Sequence, residues 1–337
     1  MPLDVGRIFA QFVQCSQVKT HVSDETTLLE LVTAAARVTI APAIGGAIAS
    51  FTVGGLPMLR PTPRATLDAG AVRGLACYPL VPYSNRIRNA ELRFAGRCYA
   101  LARNFGDHPH AIHGVGWQRA WAVAEQSDAH ARLVLVHDAR GDAARAWPWP
   151  FEAMLAYHLA DLERSAAVLA ATIALRNIGR EPFPFGLGFH PFFPKRAGTR
   201  LGFSADRVWR NDATQLPKAL EALPDAWRFE PPRAFAGLAL DNVFTGWCGR
   251  ATLVDDAACA SIRVDADRAL GFLVVYAPAG ADFVAVEPVS HETDAFNRSA
   301  DGAAHTGARV LAPGDVFSCT MRVSGVVADA AARSSPR

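Results

Sequence analysis

Short apolar runs separated by glycine, proline, asparagine and aspartate constrain the fold of this 337-residue chain more than any other feature. Arg37–Ala41 stops at Pro42, and Ala47–Val53 lies between the glycine pairs 45–46 and 54–55. Short runs bounded by glycine pairs are typical of antiparallel hairpins. Further strand candidates follow along the chain at residues 132–136, 151–157, 167–175, 271–276, 282–287 and 316–323.

Helical periodicity is weak, and residues 213–222 are the best short helix candidate, although they could equally form a loop. Strands without alternating helices predict an all-β sandwich or barrel rather than a parallel sheet covered by helices. Neither an internal repeat nor a linker-like stretch divides the chain. We therefore expect one antiparallel domain over residues 25–325, an N-terminal extension over 1–24 and a flexible C-terminal tail over 326–337.

The charge balance argues against a polyanionic or lipid partner. The chain has 34 Lys and Arg against 32 Asp and Glu, a net charge of +2, and no basic run resembles a patch for nucleic acid or lipid. No stretch approaches the roughly 18 apolar residues of a membrane span. We expect neither a nucleic-acid nor a membrane partner, and a neutral or weakly charged small molecule as ligand.

The six cysteines, at positions 15, 77, 98, 248, 259 and 319, include no CxxC pair and have no regular spacing. In a chain of this length they indicate buried free thiols in a reducing compartment. The N-terminal apolar patch Ile8–Val13 is interrupted by Gln11 and lacks the features of a signal peptide. The expected location is the cytoplasm.

Several polar residues stand where apolar strand candidates end. Glu287 closes the run 282–286 and precedes Pro288. A partly desolvated carboxylate has a raised pKa and is a better base, so Glu287 is a catalytic candidate, with a structural hydrogen-bond network as the alternative. His190 lies in the aromatic and glycine-rich run 183–193, either as a functional group or as a core histidine satisfied by one backbone contact.

Three histidines, His108, His110 and His113, lie within six residues and suggest a metal site. Apart from Asp107, however, no cysteine or carboxylate lies at ligand spacing, so we expect no metal. His113 is the better candidate for a functional group, with Trp117 as an aromatic platform beside it.

Asn85 and Arg86 follow two prolines and offer fixed hydrogen-bond donors, or else hold their loop. Asp241 follows an apolar turn, where an Asx-turn or a cap would explain it equally well.

The consecutive Ser-His-Glu at 290–292 would suit a hydrolase, but no nucleophile elbow accompanies it. Weaker candidates for the walls of a cleft are Tyr83 and Phe189.

Taken in order, six short segments resemble the aldose 1-epimerase family. Their order and spacing together are specific, and the likeness runs from about Arg37 to Val323. Members of that family have a galactose mutarotase-like β-supersandwich, a single domain of antiparallel strands that holds a sugar in a wide cleft. The resemblance implies the same fold here. The six segments are Gly45–Ala49, Ser84–Ile87, His113–Gly114, Gly188–Pro191, Asp241–Phe244 and Val286–Pro288.

The resemblance also implies a role for each residue. Glu287 is similar to the general base that takes the proton of the anomeric hydroxyl, and His190 to the general acid that protonates the ring oxygen. His113 and Arg86 resemble the pair that orients the sugar, and Asp241 the carboxylate that grips its hydroxyls. The implied enzyme interconverts the α and β anomers of a free aldose and needs neither cofactor nor metal. Further substrate-binding candidates are Asn85 and Trp117.

Two other functions remain open. A carbohydrate-binding protein could keep the fold without useful turnover, although a pure binder needs no acid–base pair such as Glu287 and His190. A mutarotase for sugar phosphates should carry additional Lys or Arg at the rim of the cleft, and Arg73, Arg86 and Arg88 are close in sequence. The sequence predicts neither the identity of the sugar nor the oligomeric state.

Overall fold

The structure, a computed structural model, describes residues 27–235 and 238–328. The predicted N-terminal extension and residues 329–337 of the predicted tail lie outside the described residues. The first described strand begins at Leu29 and the last ends at Val327, two residues into the segment predicted as the tail.

The described residues form short and long strands joined mostly by turns. In the first half these are β1 (Leu29–Val32), β2 (Ala36–Ala41), β3 (Ala47–Val53), β4 (Leu56–Pro57), β5 (Cys77–Leu80), β6 (Arg86–Ile87), β7 (Glu91–Phe94), β8 (Arg97–Ala100), β9 (Ala111–Ile112), β10 (Ala122–Gln126), β11 (His130–His137), β12 (Phe151–Glu163) and β13 (Ala166–Asn177). In the second half they are β14 (Phe183–Phe185), β15 (Gly188–Pro194), β16 (Arg200–Phe203), β17 (Arg207–Asn211), β18 (Pro217–Ala222), β19 (Phe229–Ala234), β20 (Leu240–Thr245), β21 (Arg250–Asp255), β22 (Ala260–Ala266), β23 (Phe272–Ala277), β24 (Phe283–Val289), β25 (Arg309–Leu311) and β26 (Val316–Val327).

Helices are few and short among the described residues. The α-helices are α1 (Arg64–Asp68), α2 (Asp142–Ala146) and α3 (Ala295–Ala300), and the 3₁₀ turns are Val72–Gly74, Arg88–Ala90, Gly116–Gln118 and Asp225–Trp227. The short helix considered for residues 213–222 is wrong, because β18 pairs there with β17 at a sheet edge. Local propensity was too weak to outweigh the ladder of hydrogen bonds that this pairing supplies.

Two large antiparallel sheets contain most of the strands. The larger has eleven strands in the order β1-β2-β3-β5-β15-β24-β23-β20-β17-β18, with β4 paired to β3. The smaller has nine strands in the order β10-β11-β12-β13-β26-β22-β21-β16-β19. One core cluster contains residues of both sheets, so the sheets pack face to face. The prediction of a single all-β sandwich is confirmed.

The alternation that predicted strands also explains which side chains enter the core. Leu169, Ala171, Ile173 and Leu175 share one face of β13, and all four are at most 1% exposed. Because successive side chains of a strand point to opposite faces, these four can pack against the larger sheet together. The alternating apolar residues of this segment are therefore the ones that β13 contributes to the core.

The larger sheet is buried on both faces, which the smaller sheet alone does not explain. A second apolar cluster, distinct from the core between the sheets, includes Tyr78, Phe192 and Val274 of this sheet and Trp117 of a neighbouring loop. Phe189 and Phe193 belong to the core between the sheets. Residues of β15 therefore alternate between the core and a second, partly covered surface.

The described cysteines are free thiols, but only Cys77 and Cys319 are buried. Cys98 and Cys248 are exposed and Cys259 is intermediate, so the prediction of buried thiols is wrong for these three. Cys98 lies in the short hairpin strand β8, and Cys248 and Cys259 lie in connections between strands, so none of the three enters the core.

Gly46 fixes the contact between the two sheets at the β2–β3 turn. Its carbonyl oxygen accepts a hydrogen bond of 2.7 Å from the hydroxyl of Tyr157 on β12. Its φ is +62°, and a Cβ placed there would lie 2.8 Å from Cδ1 of Leu155 and 3.0 Å from the Trp121 ring. Gly54, in the next turn, has a φ of +56° and nothing within 4 Å of such a Cβ.

Replacing Gly46 with Ala should therefore destabilise the protein more than replacing Gly54 with Ala. Both variants force a side chain into the left-handed region, which costs about 1–2 kcal/mol. Gly46→Ala adds overpacking against Leu155 and Trp121, worth about 1–3 kcal/mol more. Urea unfolding of the two variants measures the difference in the free energy of unfolding. Equal losses would contradict the proposed sheet-to-sheet contact.

Candidate active site

A row of side chains crosses the larger sheet on its second face. The registers of β15 with β5 and with β24 place His190 between Tyr78 and Glu287, and β23 adds Val274 beyond Glu287. Directly opposed residues of antiparallel strands lie on the same face, so the row presents one continuous surface. Phe192 and Tyr276 follow two residues along their strands and extend it.

This surface is the floor of a cavity of about 590 Å³. Six predicted site residues line it: Asn85, Arg86, His113, His190, Asp241 and Glu287. The sequence reasoning missed much of the remaining lining, which includes Arg60, Tyr78, Phe105, Ile112, Phe192, Val274, Tyr276 and Phe283. Another cavity, of about 460 Å³ near Leu28 and Ile44, has only the Arg64–Asp68 ion pair as charged groups among the described residues.

His190 and Glu287 are in direct contact at the centre of the floor. Nε2 of His190 lies 3.2 Å from Oε1 of Glu287, and the side chains are 8% and 3% exposed. Burial lowers the pKa of His190 to about 3 and raises that of Glu287 well above its ordinary value. Both shifts have the same physical cause, since desolvation disfavours the charged form of either group.

These opposite shifts mean that the pair holds one titratable proton between the lowered pKa of His190 and the raised pKa of Glu287. A carboxylic acid beside a neutral imidazole carries the same number of protons as a carboxylate beside an imidazolium. Because the two groups interact strongly, this proton belongs to the pair rather than to either residue. The desolvated cavity favours the neutral arrangement, in which Glu287 donates to Nε2 of His190.

His113 is held as a hydrogen-bond donor by the neighbouring segment that carries Asn85. Its Nδ1 accepts a bond of 3.0 Å from the backbone N–H of Asn85, so the ring proton of the neutral imidazole is on Nε2. The backbone N–H of His113 in turn donates to the Asn85 carbonyl at 2.9 Å. Burial, with His190 and Arg86 nearby, lowers the pKa of His113 well below its ordinary value. The ring lies edge-on to His190 at a centroid distance of 5.4 Å.

The His113 loop requires the adjacent Gly114. Both residues have positive φ angles, 61° and 70°. A Cβ on Gly114 would lie 2.3 Å from the carbonyl oxygen of Val81, so only glycine allows this close approach. The His-Gly pair in the sequence is therefore the signature of a tight loop that aims an imidazole into the cavity.

Arg86 and Asp241 form an ion pair at one side of the cavity. Nη2 of Arg86 donates to Oδ2 of Asp241 at 3.1 Å, and the two side chains are 16% and 26% exposed. Oδ1 of Asn85 accepts from Nη1 of Arg86 at 3.1 Å, and so fixes the guanidinium. The side chain of Asn211 donates to the Asp241 carbonyl at 2.6 Å and ties β20 to β17. The pair offers both donors and acceptors to a ligand.

Trp117, Tyr83 and Phe189 do not line this cavity, which corrects the sequence predictions for all three. Trp117 is buried behind the wall, with its ring centroid 5.6 Å from that of Tyr78. Tyr83 packs on Trp147 in the core, at 5.4 Å between centroids. Phe189 precedes His190 by one residue, and the alternation of β15 therefore turns it into the core.

The Ser-His-Glu run at 290–292 is structural. Ser290 Oγ accepts a hydrogen bond from the Leu187 N–H, and His291 Nε2 accepts one from the Ser84 N–H. Glu292 accepts from Trp209 Nε1 at 2.6 Å and from Arg298 Nε at 2.8 Å. Each polar group thus has its own partner and none activates another, as the missing nucleophile elbow suggested.

His108 and His110 lie outside the lining of the cavity, with their ring centroids 5.0 Å apart. Nδ1 of His110 accepts a hydrogen bond from the backbone N–H of Asn89. Over residues 27–235 and 238–328, no group of three His, Cys, Asp or Glu side chains could hold a metal ion. In the same ranges, every helix is too short or too polar to span a bilayer.

The aldose 1-epimerase family model matches residues 27–324, nearly the whole described chain. The chain belongs to the aldose 1-epimerase family. The uncharacterized protein YphB of Escherichia coli K12 is 30% identical over 279 residues, which cover 80% of this chain and 89% of YphB.

Solved structures of this family share the fold. A protein of Escherichia coli K12, provisionally named an aldose 1-epimerase, has a TM-score of 0.79 at 26% identity, with 90% of this chain and 99% of that chain covered. A galactose mutarotase-like protein of Clostridium acetobutylicum has a TM-score of 0.76 at 17% identity over 90% and 99% of the two chains. The sandwich described above is therefore the galactose mutarotase-like fold.

Glu287→Gln should stabilise the protein by an amount that grows as the pH rises. Glu287 keeps its proton in the folded state above the pKa of about 4.5 at which the unfolded chain loses it. This contribution to stability is complete below the unfolded pKa and is lost as the pH rises through the folded pKa. Glutamine does not titrate, so the advantage of the variant should increase by about 1.4 kcal/mol per pH unit within that window.

Urea unfolding between about pH 5 and about pH 8 measures this difference between the variant and the parent. Glu163→Gln, at an exposed strand end, is the matched control, for which we expect no comparable change with pH. A Glu287→Gln advantage that stays constant with pH would contradict the raised pKa of the buried carboxyl.

Proposed function

We propose that the protein interconverts the α and β anomers of an aldose. The observation that supports this most directly is the contact between His190 Nε2 and Glu287 Oε1, at 3.2 Å, on the floor of the cavity. Opening a hemiacetal requires one group to take the anomeric proton while another protonates the ring oxygen. Two adjacent groups that share one proton are suited to both transfers.

Each step of the proposed reaction conserves protons. The anomeric hydroxyl gives its proton to the carboxylate of Glu287, the bond between C1 and the ring oxygen breaks, and that oxygen takes the proton of the His190 imidazolium. The resulting aldehyde rotates about the C1–C2 bond. On closure, the new ring hydroxyl returns its proton to His190, and Glu287 protonates the carbonyl oxygen at C1. The original state of the pair is thereby restored.

Substrate binding must move the shared proton from Glu287 to His190 before the ring opens. The pair is neutral in the desolvated cavity, whereas the reaction starts from a carboxylate and an imidazolium. Sugar hydroxyls that donate to the Glu287 carboxylate would favour its ionised form, as hydrogen bonds to a charged group do. The hydrogen-bonding substrate thus prepares its own acid and base.

His113 and the Arg86–Asp241 pair are proposed to hold the sugar. The Nε2–H of His113 donates into the same cavity, beside His190, where it can support negative charge that develops on the ring oxygen. Arg86 donates to hydroxyls, and Asp241 accepts from them. Asn85 acts mainly by holding the His113 ring and the Arg86 guanidinium in place.

A carbohydrate-binding protein without turnover is the alternative that the same residues leave open. A binder gains nothing from a buried carboxyl whose ionised form is costly, since a neutral amide would bind hydroxyls at lower cost. Perturbed pKa values are typical of groups that transfer protons, and this favours the enzyme.

Replacing Glu287 with Gln should lower the rate of anomer exchange by at least about a hundredfold while sugar binding is kept. The amide has the same shape, but it cannot accept the anomeric proton. NMR exchange spectroscopy on a panel of aldoses measures the rate, and calorimetry measures binding. Parental exchange rates in this variant would contradict the role of Glu287 and favour the carbohydrate-binding alternative.

Two further variants complete that experiment. His190→Asn should cause a similar loss, and the double variant should lose far less than the product of the single losses, because the two residues act as one unit. Asp241→Asn should instead weaken sugar binding more than it slows turnover. This variant is the matched control, since it removes a cavity carboxylate that takes no part in proton transfer.

The value of kcat/KM should stay level as the pH falls from about 7 to about 5, through the ordinary histidine pKa of about 6.5. Burial lowers the pKa of His190 to about 3, so the pair gains its second proton only in strong acid. As the pH rises through the raised pKa of Glu287, the pair loses its only proton and activity should fall. Measured above the buffer-catalysed rate, an acid limb with a midpoint near about 6.5 would exclude a buried, neutral His190.

A further inference from the structure

The cavity lining contains more positive charge than its carboxylates balance. Three arginines, Arg60, Arg73 and Arg86, share it with Asp241 and Glu287. Arg86 is paired with Asp241 at 3.1 Å, and Glu287 contacts His190. Within the described ranges, neither Arg60 nor Arg73 forms an ion pair with a carboxylate. Neither guanidinium is therefore within ion-pair distance of a carboxylate of the described residues, although Asp282 is close enough to oppose the fall in the pKa of Arg60 that burial causes.

The guanidinium of Arg60 is fixed in place. Its Nη2 donates to the carbonyls of Arg73 and Leu75 at 2.9 and 2.8 Å, and its Cζ lies 3.9 Å from the centre of the Phe192 ring. The same Cζ lies 4.7 Å from the centre of the Phe283 ring, and the Nε of Arg60 is buried with no hydrogen-bond partner in the described chain. Burial lowers the pKa of Arg60 by more than the nearby Tyr78 and Asp282 raise it, which reflects the cost of desolvating the cation.

Arg73 is the more available of the two. Its Cζ lies 4.7 Å from the centre of the Phe105 ring, and among the described residues its side chain donates no hydrogen bond to the protein. Its carbonyl accepts a hydrogen bond from Arg60, which links the Arg60 side chain to the Arg73 backbone. Arg88, which is close in sequence, is different: it is outside the lining and pairs with the buried Asp294 at 3.3 Å.

Both arginines lie about one aromatic ring away from the reacting pair. The Phe192 ring contacts Arg60 and stacks on His190 at 4.5 Å between centroids. The Tyr78 ring lies 4.6 Å from His190, and both Arg60 and Arg73 are close enough to its phenol to oppose the rise of its pKa that burial causes. A sugar whose C1 is at His190 and Glu287 could thus extend a substituent to this end of the cavity.

We propose that Arg60 and Arg73 bind an anionic substituent of the aldose, a phosphoryl or carboxylate group on a carbon other than C1. This inference rests on the proposed function, and it names the class of sugar on which the site acts. The planar guanidinium presents donors in a geometry that matches both kinds of oxyanion. A neutral sugar would leave the half-buried Arg60 without an ion-pair partner in the cavity, whereas an anionic sugar supplies one to Arg60 and to the exposed Arg73.

The test compares a neutral hexose, a hexose 6-phosphate and a hexuronate as substrates in NMR exchange experiments. We expect one of the anionic sugars to have a kcat/KM at least about tenfold above that of the neutral hexose, through a lower KM, because hydrogen bonds between charged groups are the stronger ones. Which of the two is preferred distinguishes a phosphoryl from a carboxylate ligand. Equal or better turnover of the neutral hexose would overturn the inference and leave the proposed function standing.

Variants of Arg73 separate charge recognition from a role in holding the loop. Arg73→Gln should raise the KM for the preferred anionic sugar about tenfold more than that for the neutral hexose, and Arg73→Lys should restore much of the difference. Arg64→Gln removes the same charge from an exposed helix outside the cavity and should leave both sugars unaffected. Equal changes for both sugars in Arg73→Gln would indicate a structural role and overturn the inference.

If no sugar is exchanged, the proposed function fails, and direct binding then decides on the anion site. Calorimetry with hexose 6-phosphate, hexuronate, neutral hexose and inorganic phosphate supplies this measurement. Tighter binding of an anionic sugar, weakened by Arg73→Gln and not by Arg64→Gln, would support the site without catalysis. Equal binding of the neutral and anionic sugars would overturn it.

Discussion

The desolvation of two ionisable groups in contact is the constraint on which the rest of the site depends. A carboxylate and an imidazolium on an exposed surface would each keep their ordinary pKa, and Glu287 and His190 would then hold opposite charges without exchanging a proton. Burial on the second face of the larger sheet brings both groups toward their neutral forms. The sheet can sustain that cost because its other face is anchored in the core between the sheets.

Strand parity connects this chemistry to the fold. Phe189 and Phe193 enter the core, so His190 and Phe192 must face the cavity, and the register with β24 brings Glu287 opposite His190. A register shift of one residue in β15 would turn Phe189 and Phe193 away from the core. The same shift would turn His190 away from Glu287. The packing of a whole strand therefore determines the positions of both catalytic candidates and places them within hydrogen-bond distance of each other.

The same parity explains how far the sequence could predict the structure. Alternating apolar runs predicted the long strands, and polar residues at the predicted strand ends, such as Glu287, marked the cavity. Phe189 was misassigned because an aromatic residue beside a functional histidine looks like a wall, although it belongs to the opposite face. Trp117 was misassigned because burial behind the wall has no sequence signal. Arg60 was missed because its link to the site depends on a contact across strands, in which its N–H donates to the Phe192 carbonyl at 2.8 Å.

The charge of Arg60 and the position of the proton shared by His190 and Glu287 depend on each other electrostatically. After desolvation, Arg60 and Arg86 are the charges that lower the pKa of His190, and Arg86 is already paired with Asp241. An anion bound at Arg60 would offset the larger unpaired contribution and raise the pKa of His190. The shared proton would then move toward the imidazole, leaving Glu287 as the carboxylate that ring opening requires. A substrate with an anionic group would thus be bound by a charge that acts in the same direction as the sugar hydroxyls at Glu287, and both would move the shared proton toward His190.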